Sequence, residues 1–171
     1  MPELASNRRT FVPTPSNEQH PVSRQRVGIR ACGPADAAAV ALLSAELGYP
    51  TDHETMRSRI EAIVGRHDHG LFVACRAERI VGWIHVAVVQ HVQSDRRAEI
   101  GGLVVAEAAR SEGVGAQLLA AAEEWAAAHG LAAIVVRSQI KREAAHHFYE
   151  REGYTRIKTS AVFSKILIRD P

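Results

Sequence analysis

Val27, Ile29 and Ala31 alternate with Gly28 and Arg30, the period-two rhythm of a half-buried strand, and Gly33-Pro34 ends it. The rhythm then lengthens. Val40, Leu43 and Leu47 fall on one stripe of a helix over Ala37 to Leu47, with acidic Asp36 near its positive N-terminal end and Gly48 after it. Thr51-Asp52 opens a second helix, His53 to Val64, with Met56, Ile60 and Ile63 at helical spacing. Leu71 to Cys75 and Ile80 to Val89 are β-branched runs joined by the polar turn Arg76 to Arg79, which predicts a hairpin. A further strand is predicted over Ala98 to Val105. A long amphipathic helix, Val114 to His129, follows, with Leu118, Leu119, Ala122, Trp125 and Ala126 on one side. Ala133 to Val136 is continuously apolar, as a strand buried on both faces is. Arg142 to Glu152 predicts a last helix, and Tyr154 to Lys158 and Ala161 to Ile168 predict two closing strands. This order gives an α/β (α+β) domain: a mixed sheet flanked by helices in three layers.

Residues 1–26 break the pattern. Pro2, Pro13, Pro15 and Pro21 are spread among Ser, Asn, Gln and Arg, and no sustained apolar run offsets the entropy of ordering them. We expect a flexible N-terminal arm over 1–26 and one domain over 27–171. A chain of 171 residues, 46% hydrophobic and 23% charged, suits a single globular core. A net charge of +2 calls for neither nucleic acid nor an anionic membrane as partner. No apolar run reaches the ~18 residues of a membrane span, and no secretory signal opens the chain. The two cysteines, Cys32 and Cys75, lie far apart in no metal-binding pattern, which favours a reducing, cytoplasmic compartment over a disulfide framework.

The most specific chemistry lies between the strand ending at Val105 and the helix starting at Val114. Arg110-Ser111-Glu112-Gly113-Val114-Gly115-Ala116 reads Arg-x-x-Gly-x-Gly at a helix N-terminus. The first turn of a helix presents N–H groups with no internal partner, and the macrodipole adds positive potential there. Glycines let an anion approach the backbone closely, so a pyrophosphate fits. The absence of a following Gly-Lys-Ser/Thr excludes a Walker loop. The late position and the spacing fit a dinucleotide fingerprint poorly.

Downstream, Ala145 to Tyr154 reads Ala-x-x-Phe-Tyr-Glu-x-x-Gly-Tyr. With Arg110 to Gly115 before it, this resembles the GNAT superfamily of N-acetyltransferases over Val27 to about Ile168. The resemblance implies a mostly antiparallel sheet with a V-shaped splay between its fourth and fifth strands. It also implies acetyl-CoA as co-substrate, no metal, and a primary amine as acceptor. Leu103, Val104 and Val105 would offer backbone groups to the pantetheine arm and one N–H to the oxyanion. Arg110, Ser111, Glu112, Gly113, Val114, Gly115 and Ala116 would hold the pyrophosphate, and Arg142, Ala145 and Phe148 would flank the cofactor. Tyr149 matches the family tyrosine beside the cofactor sulfur, where its phenol would protonate the leaving thiolate; otherwise it is a core aromatic. Glu99 resembles the glutamate that activates the amine in some members; otherwise it is a solvated strand residue.

The chain departs from the family pattern in two places. Ser111 and Glu112 stand where Gly or a basic residue is usual, and Glu112 adds negative charge, so it points away or weakens binding. Arg142 stands where Asn is usual and would reach the CoA phosphates instead. Gly101-Gly102 marks a bulge or close backbone approach. His85 and Trp83 lie on the strand that lines the acceptor pocket in the family, although a strand histidine is commonly a packing residue. His67-Asp68-His69 reads as a solvated loop cluster, and the adjacent His146 and His147 face different ways on a helix. A cationic acceptor predicts an acidic pocket drawn from Glu46, Asp52, Glu54, Asp95 and Glu99. A small molecule of aminoglycoside, polyamine or amino-acid type is the leading acceptor. A peptide acceptor, a non-catalytic CoA-binding domain and a nucleotide-binding oxidoreductase stay open. A homodimer is possible.

Overall fold

The computed structural model describes residues 26–167. The arm expected before Val27 lies, apart from Arg26, outside the described residues. Five strands and four helices are described: β1 Val27–Ala31, α1 Ala37–Glu46, α2 His53–Ile63, β2 His69–Arg76, β3 Arg79–His91, β4 Ser94–Val105, α3 Val114–Ala128, β5 Ile134–Val136 and α4 Glu143–Arg151. The strands form one sheet in chain order. β1 to β4 are antiparallel neighbours, and β5 runs parallel to β4. This is the mixed sheet that the pattern predicted, in the mostly antiparallel arrangement that the resemblance implied. Among the described residues no helix is long and apolar enough to cross a membrane.

Local chemistry starts the helices. The Asp36 carboxylate accepts Gly33 N–H at 2.9 Å and a two-pronged contact from Arg30 at 2.7 and 2.8 Å, and these hold its pKa below the ordinary value. Asp52 caps α2, accepting the Thr55 N–H at 2.8 Å, which satisfies one orphan donor of the first turn. α3 covers one face of the sheet. There Leu118, Leu119, Ala122 and Ala126 pack on Ala74, Ile84, Val86, Ala98 and Ile100. α1 and α2 cover the other face, where Val40, Met56 and Ile60 pack on Val73. Fully burying a side chain such as Leu118 contributes roughly 1.5–3 kcal/mol.

The structure corrects two boundaries. β4 starts at Ser94, four residues before the predicted Ala98, and makes a tight hairpin with β3. Ser94 to Arg97 is polar, with Asp95 and Arg96 exposed, so alternation there carries no apolar signal. The second correction is larger. Neither closing strand forms: the described residues after Gly153 hold no regular structure, and Ile168 lies outside them. Ile157, Val162, Phe163, Ile166 and Leu167 are each at least 75% exposed. β-propensity expresses packing on a pleated surface, and this segment rests on none.

β5 pairs with β4 only over Ala98–Ile100, opposite Ile134–Val136. β4 then runs on from Gly101 to Val105, paired with β3 on one side and without a strand on the other. This is the splay between the fourth and fifth strands.

Candidate functional site

The open stretch of β4 leads straight into the glycine-containing turn. Ala106 N–H donates to Val81 O at 2.9 Å and ends the strand, and a short 3-10 turn, Glu107–Ala109, reverses the chain. Ser111 (φ 62°) and Gly113 (φ 80°) then take left-handed conformations. Alternating backbone of this kind turns successive N–H groups to one concave side. Gly113 is the N-cap of α3 and has no side chain to cap it, so the first-turn amides of Val114, Gly115 and Ala116 stay available. Gly115 sits close to α4: a Cβ there would lie 3.2 Å from the Phe148 ring, which would have to give by a few tenths of an ångström.

Charged side chains brace the turn. Arg110 Nε donates to Val105 O at 3.2 Å, and its Nη2 lies 3.4 Å from Glu46 Oε2. The same Glu46 oxygen accepts Glu107 N–H at 3.1 Å, which ties the end of α1 to the turn. Glu112 pairs with Arg76 of β2. Its carboxylate is thus engaged by a guanidinium, not presented bare to an anion.

α4 closes the other side of the opening. Phe148 and Tyr149 pack on the α3-facing core with their rings edge to face, 5.2 Å between centroids. Burial pushes the Tyr149 phenol up to about 12, against an opposing effect from Arg142. Tyr149 is therefore protonated at neutral pH. Arg142 Nη2 donates to Leu47 O at 2.6 Å, so its guanidinium is held by the carbonyl end of α1. Ser138, just beyond β5, has a buried hydroxyl oxygen with no hydrogen-bond partner among the described residues. No motif marks it in sequence; only its position past the end of the β4–β5 pairing draws notice.

The α1 face of the sheet carries a different set. The β3–β4 register shifts between His85 and Val86, so that Gly101 has no opposite residue. A bulge of this kind turns neighbouring residues towards one face. A Cβ on Gly101 would lie 2.8 Å from His85 Nδ1, and one on Gly102 would lie 2.6 Å from the Trp83 ring. The glycine pair marks a bulge, as predicted, and its tight neighbours are these two β3 side chains. His85 Nε2 lies 2.9 Å from His69 Nδ1, and the two rings are within 3° of parallel. Trp83 Nε1 is buried without a partner among the described residues.

Glu99 stands on β4 just before the bulge. Its Oε1 accepts from Arg137 Nε at 2.9 Å, and its Oε2 lies 3.9 Å from Arg97. The acidic residues named from sequence do not converge. Glu46 braces the turn, Asp52 caps a helix and Asp95 sits in the β3–β4 hairpin. Asp68 is ion-paired with Arg66, which lowers its carboxyl to about 2. Among the described residues no cluster of metal-ligating side chains occurs. Cys32 and Cys75 are free.

A splayed fourth strand feeding an uncapped, glycine-containing helix N-terminus defines a class, and comparison with known proteins gives its family. A model of the acetyltransferase (GNAT) family matches residues 37–154, and the chain belongs to that family. The aminoalkylphosphonate N-acetyltransferase of Salmonella typhimurium is 40% identical over 83 residues, which are 48% of this chain and 54% of that protein. The match thus spans about half of that relative's length. An uncharacterized N-acetyltransferase of Bacillus subtilis, YhdJ, is 30% identical over 114 residues, 66% of this chain and 80% of that one. Among solved structures, a transcriptional regulator from Bacillus halodurans superposes with a TM-score of 0.74 at 25% identity, covering 82% of this chain and 100% of that one. The aminoglycoside acetyltransferase AAC(6')-Iy, in complex with a CoA-linked bisubstrate analogue, superposes with a TM-score of 0.73 at 16% identity, covering 82% and 99%.

Proposed function

We propose that the protein moves the acetyl group of acetyl-CoA directly onto a primary amine of a small molecule, of aminoglycoside, polyamine or amino-acid type. The observation that carries the donor half is the strand Gly101 to Val105, unpaired on its β5 side and running into the uncapped start of α3. Open strand edges recognise an extended ligand through main-chain hydrogen bonds, and helix N-termini recognise phosphate. Leu103, Val104 and Val105 bind the pantetheine arm in this reading, and the amides from Arg110 to Ala116 hold the pyrophosphate. Ala145, Phe148 and Arg142 flank the cofactor, and the orphan Ser138 hydroxyl adds a hydrogen bond. Support for a small acceptor comes from the aminoalkylphosphonate relative and from the aminoglycoside enzymes of the same fold.

Acetyl-CoA supplies a thioester whose carbonyl carbon bonds to the amine nitrogen as the C–S bond breaks. An N–H of Leu103, Val104 or Val105 meets the negative charge that develops on the carbonyl oxygen. Tyr149 donates to the departing sulfur. A phenol near 12 is a weaker acid than a thiol of about 8.5, so it stabilises the thiolate by a hydrogen bond more than by full transfer of its proton. Glu99, the base expected from sequence, already has both oxygens facing guanidinium groups. The free cysteines fit a cytoplasmic location.

The test is a thiol-release assay with acetyl-CoA across a panel of amines, paired with thermal denaturation. Acetyl-CoA at a hundred times its Kd stabilises the fold by about 2.7 kcal/mol, which raises the Tm by roughly 5–10 °C. An unchanged Tm at saturation overturns the donor half. A raised Tm with no thiol released by any amine overturns the transfer half.

A further inference from the structure

We propose that His85 takes the proton of the acceptor amine at Nδ1 and that His69 passes a proton on towards solvent. This rests on the amine-transfer reading above. The site is the bulge at Gly101, where β4 leaves β5 and its backbone becomes open. His85 Nδ1 lies directly over that glycine, at the point where any Cβ would collide with it. A ring placed there borders the one stretch of β4 that offers main-chain groups to a thioester.

Both nitrogens of His85 have distinct surroundings. Nε2 is bound to His69 Nδ1 at 2.9 Å, and this is the ring's one hydrogen bond among the described residues. With its proton on Nε2, His85 donates to His69 and leaves a lone pair on Nδ1 beside Gly101. Burial and the neighbouring His69 both lower the pKa of His85, so the ring is neutral and able to accept. His69 is less enclosed, its side chain 22% exposed, and its Nε2 lies 3.9 Å from Asp68 Oδ1 at the surface. The proton path is balanced. The amine proton bonds to His85 Nδ1, the Nε2 proton passes to His69 Nδ1, and the His69 Nε2 proton leaves to water beside the Asp68 carboxylate. Each ring ends as its other neutral tautomer, and exchange with solvent restores the starting pair.

The charged groups around His85 leave this role to the histidines. From β2 the ionisable neighbour is His69. From β4, Glu99 is closed on Arg137 and Arg97. α1, which packs on β3 from this side, carries no charged residue before Glu46, and α3 covers the opposite face. The histidine pair is therefore the proton acceptor that this face offers without a guanidinium partner.

The experiment measures kcat/KM for thiol release against pH in the wild-type chain, His85→Gln and His69→Gln. It also measures the acetyl-CoA-induced Tm shift of each. His85→Gln is expected to lower the rate about 100-fold and to abolish the acidic limb of the profile, with the acetyl-CoA shift retained. His69→Gln is expected to cost about 10-fold and to move that limb. Imidazole added to His85→Ala restores activity if the ring carries a proton, and a merely structural ring is not replaced this way. Nitrogen-15 NMR of the free protein gives a readout independent of turnover: the His85 titration moves when His69 is replaced. Two rings titrating independently at ordinary values overturn the relay, whether or not the variants are active. Thiol release by His85→Gln at the wild-type rate with the same acidic limb overturns this role alone. A wild-type chain stabilised by acetyl-CoA but inactive with every amine overturns the transfer reading and this role with it.

Discussion

The two sides of the splayed strand are built from different materials. The side towards α3 and α4 is made of backbone: an open strand edge, two left-handed residues at Ser111 and Gly113, and the uncapped amides of a helix. The side towards α1 is made of side chains: His69, Trp83, His85 and the Glu99–Arg137 pair. Backbone recognition demands particular conformations from consecutive residues, so it leaves a motif in the sequence. Side-chain recognition gathers residues from separate strands, so it leaves none. This contrast is why the glycine-containing turn is read from the chain, whereas the His69–His85 contact is seen only in the fold.

Replacing shared core should damage both sides at once, and with the largest effect. Leu118 is fully buried between α3 and the sheet. Leu118→Ala is expected to cost about 3 kcal/mol, read as a lowered denaturant midpoint, and an unchanged midpoint would show that α3 is not held as described. Tyr149→Phe separates donor chemistry from donor binding. It should slow thiol release by roughly 10²-fold while the Tm shift with acetyl-CoA stays. An equal loss of both would make Tyr149 a packing residue.

Gly113→Val tests the backbone side by itself. Nothing stands within 4 Å of the new Cβ, so its effect is the strain of φ 80° on a branched residue, about 1–2 kcal/mol. Weaker acetyl-CoA binding should accompany it, and calorimetry giving wild-type affinity would remove the turn from the phosphate site. Acid titration tests the side-chain side. His85 has a lowered folded pKa, so the unfolded chain binds more protons. Its contribution to stability is full above about pH 6.5 and is lost as pH falls from there through the folded pKa. His85→Gln should flatten that part of the stability curve, and an unaltered slope would place the dependence elsewhere. The smallest effect is expected from Arg76→Ala. The Arg76–Glu112 pair is 28% and 41% exposed, so its loss changes stability by less than about 1 kcal/mol. Freed Glu112 should weaken acetyl-CoA binding a few-fold, and unchanged affinity would put its charge out of reach of the phosphates.

Legibility followed the same division. β1 and the start of α3 fall where the pattern puts them, because alternation, caps and glycines act over a few neighbouring residues. The first four residues of β4 escape notice because a hairpin end facing solvent needs no apolar alternation. The segment after Tyr154 shows the opposite failure. Ile157, Val162 and Phe163 have high strand propensity, yet a strand exists only where an edge receives it, and β5 extends for three residues.

The sequence by itself determined which residues bend, cap and alternate. It marked the glycine-containing turn and the family to which the chain belongs, since positive φ and helix initiation are constraints on adjacent residues. Tertiary structure decided what meets across the fold. His69 faces His85, Arg76 reaches Glu112, Arg142 closes on Leu47, and β4 parts from β5 after Ile100. These contacts follow from strand register and from the packing of α1 and α3 on opposite faces of one sheet. Register is a property of the assembled core, to which residues far apart in the chain contribute together.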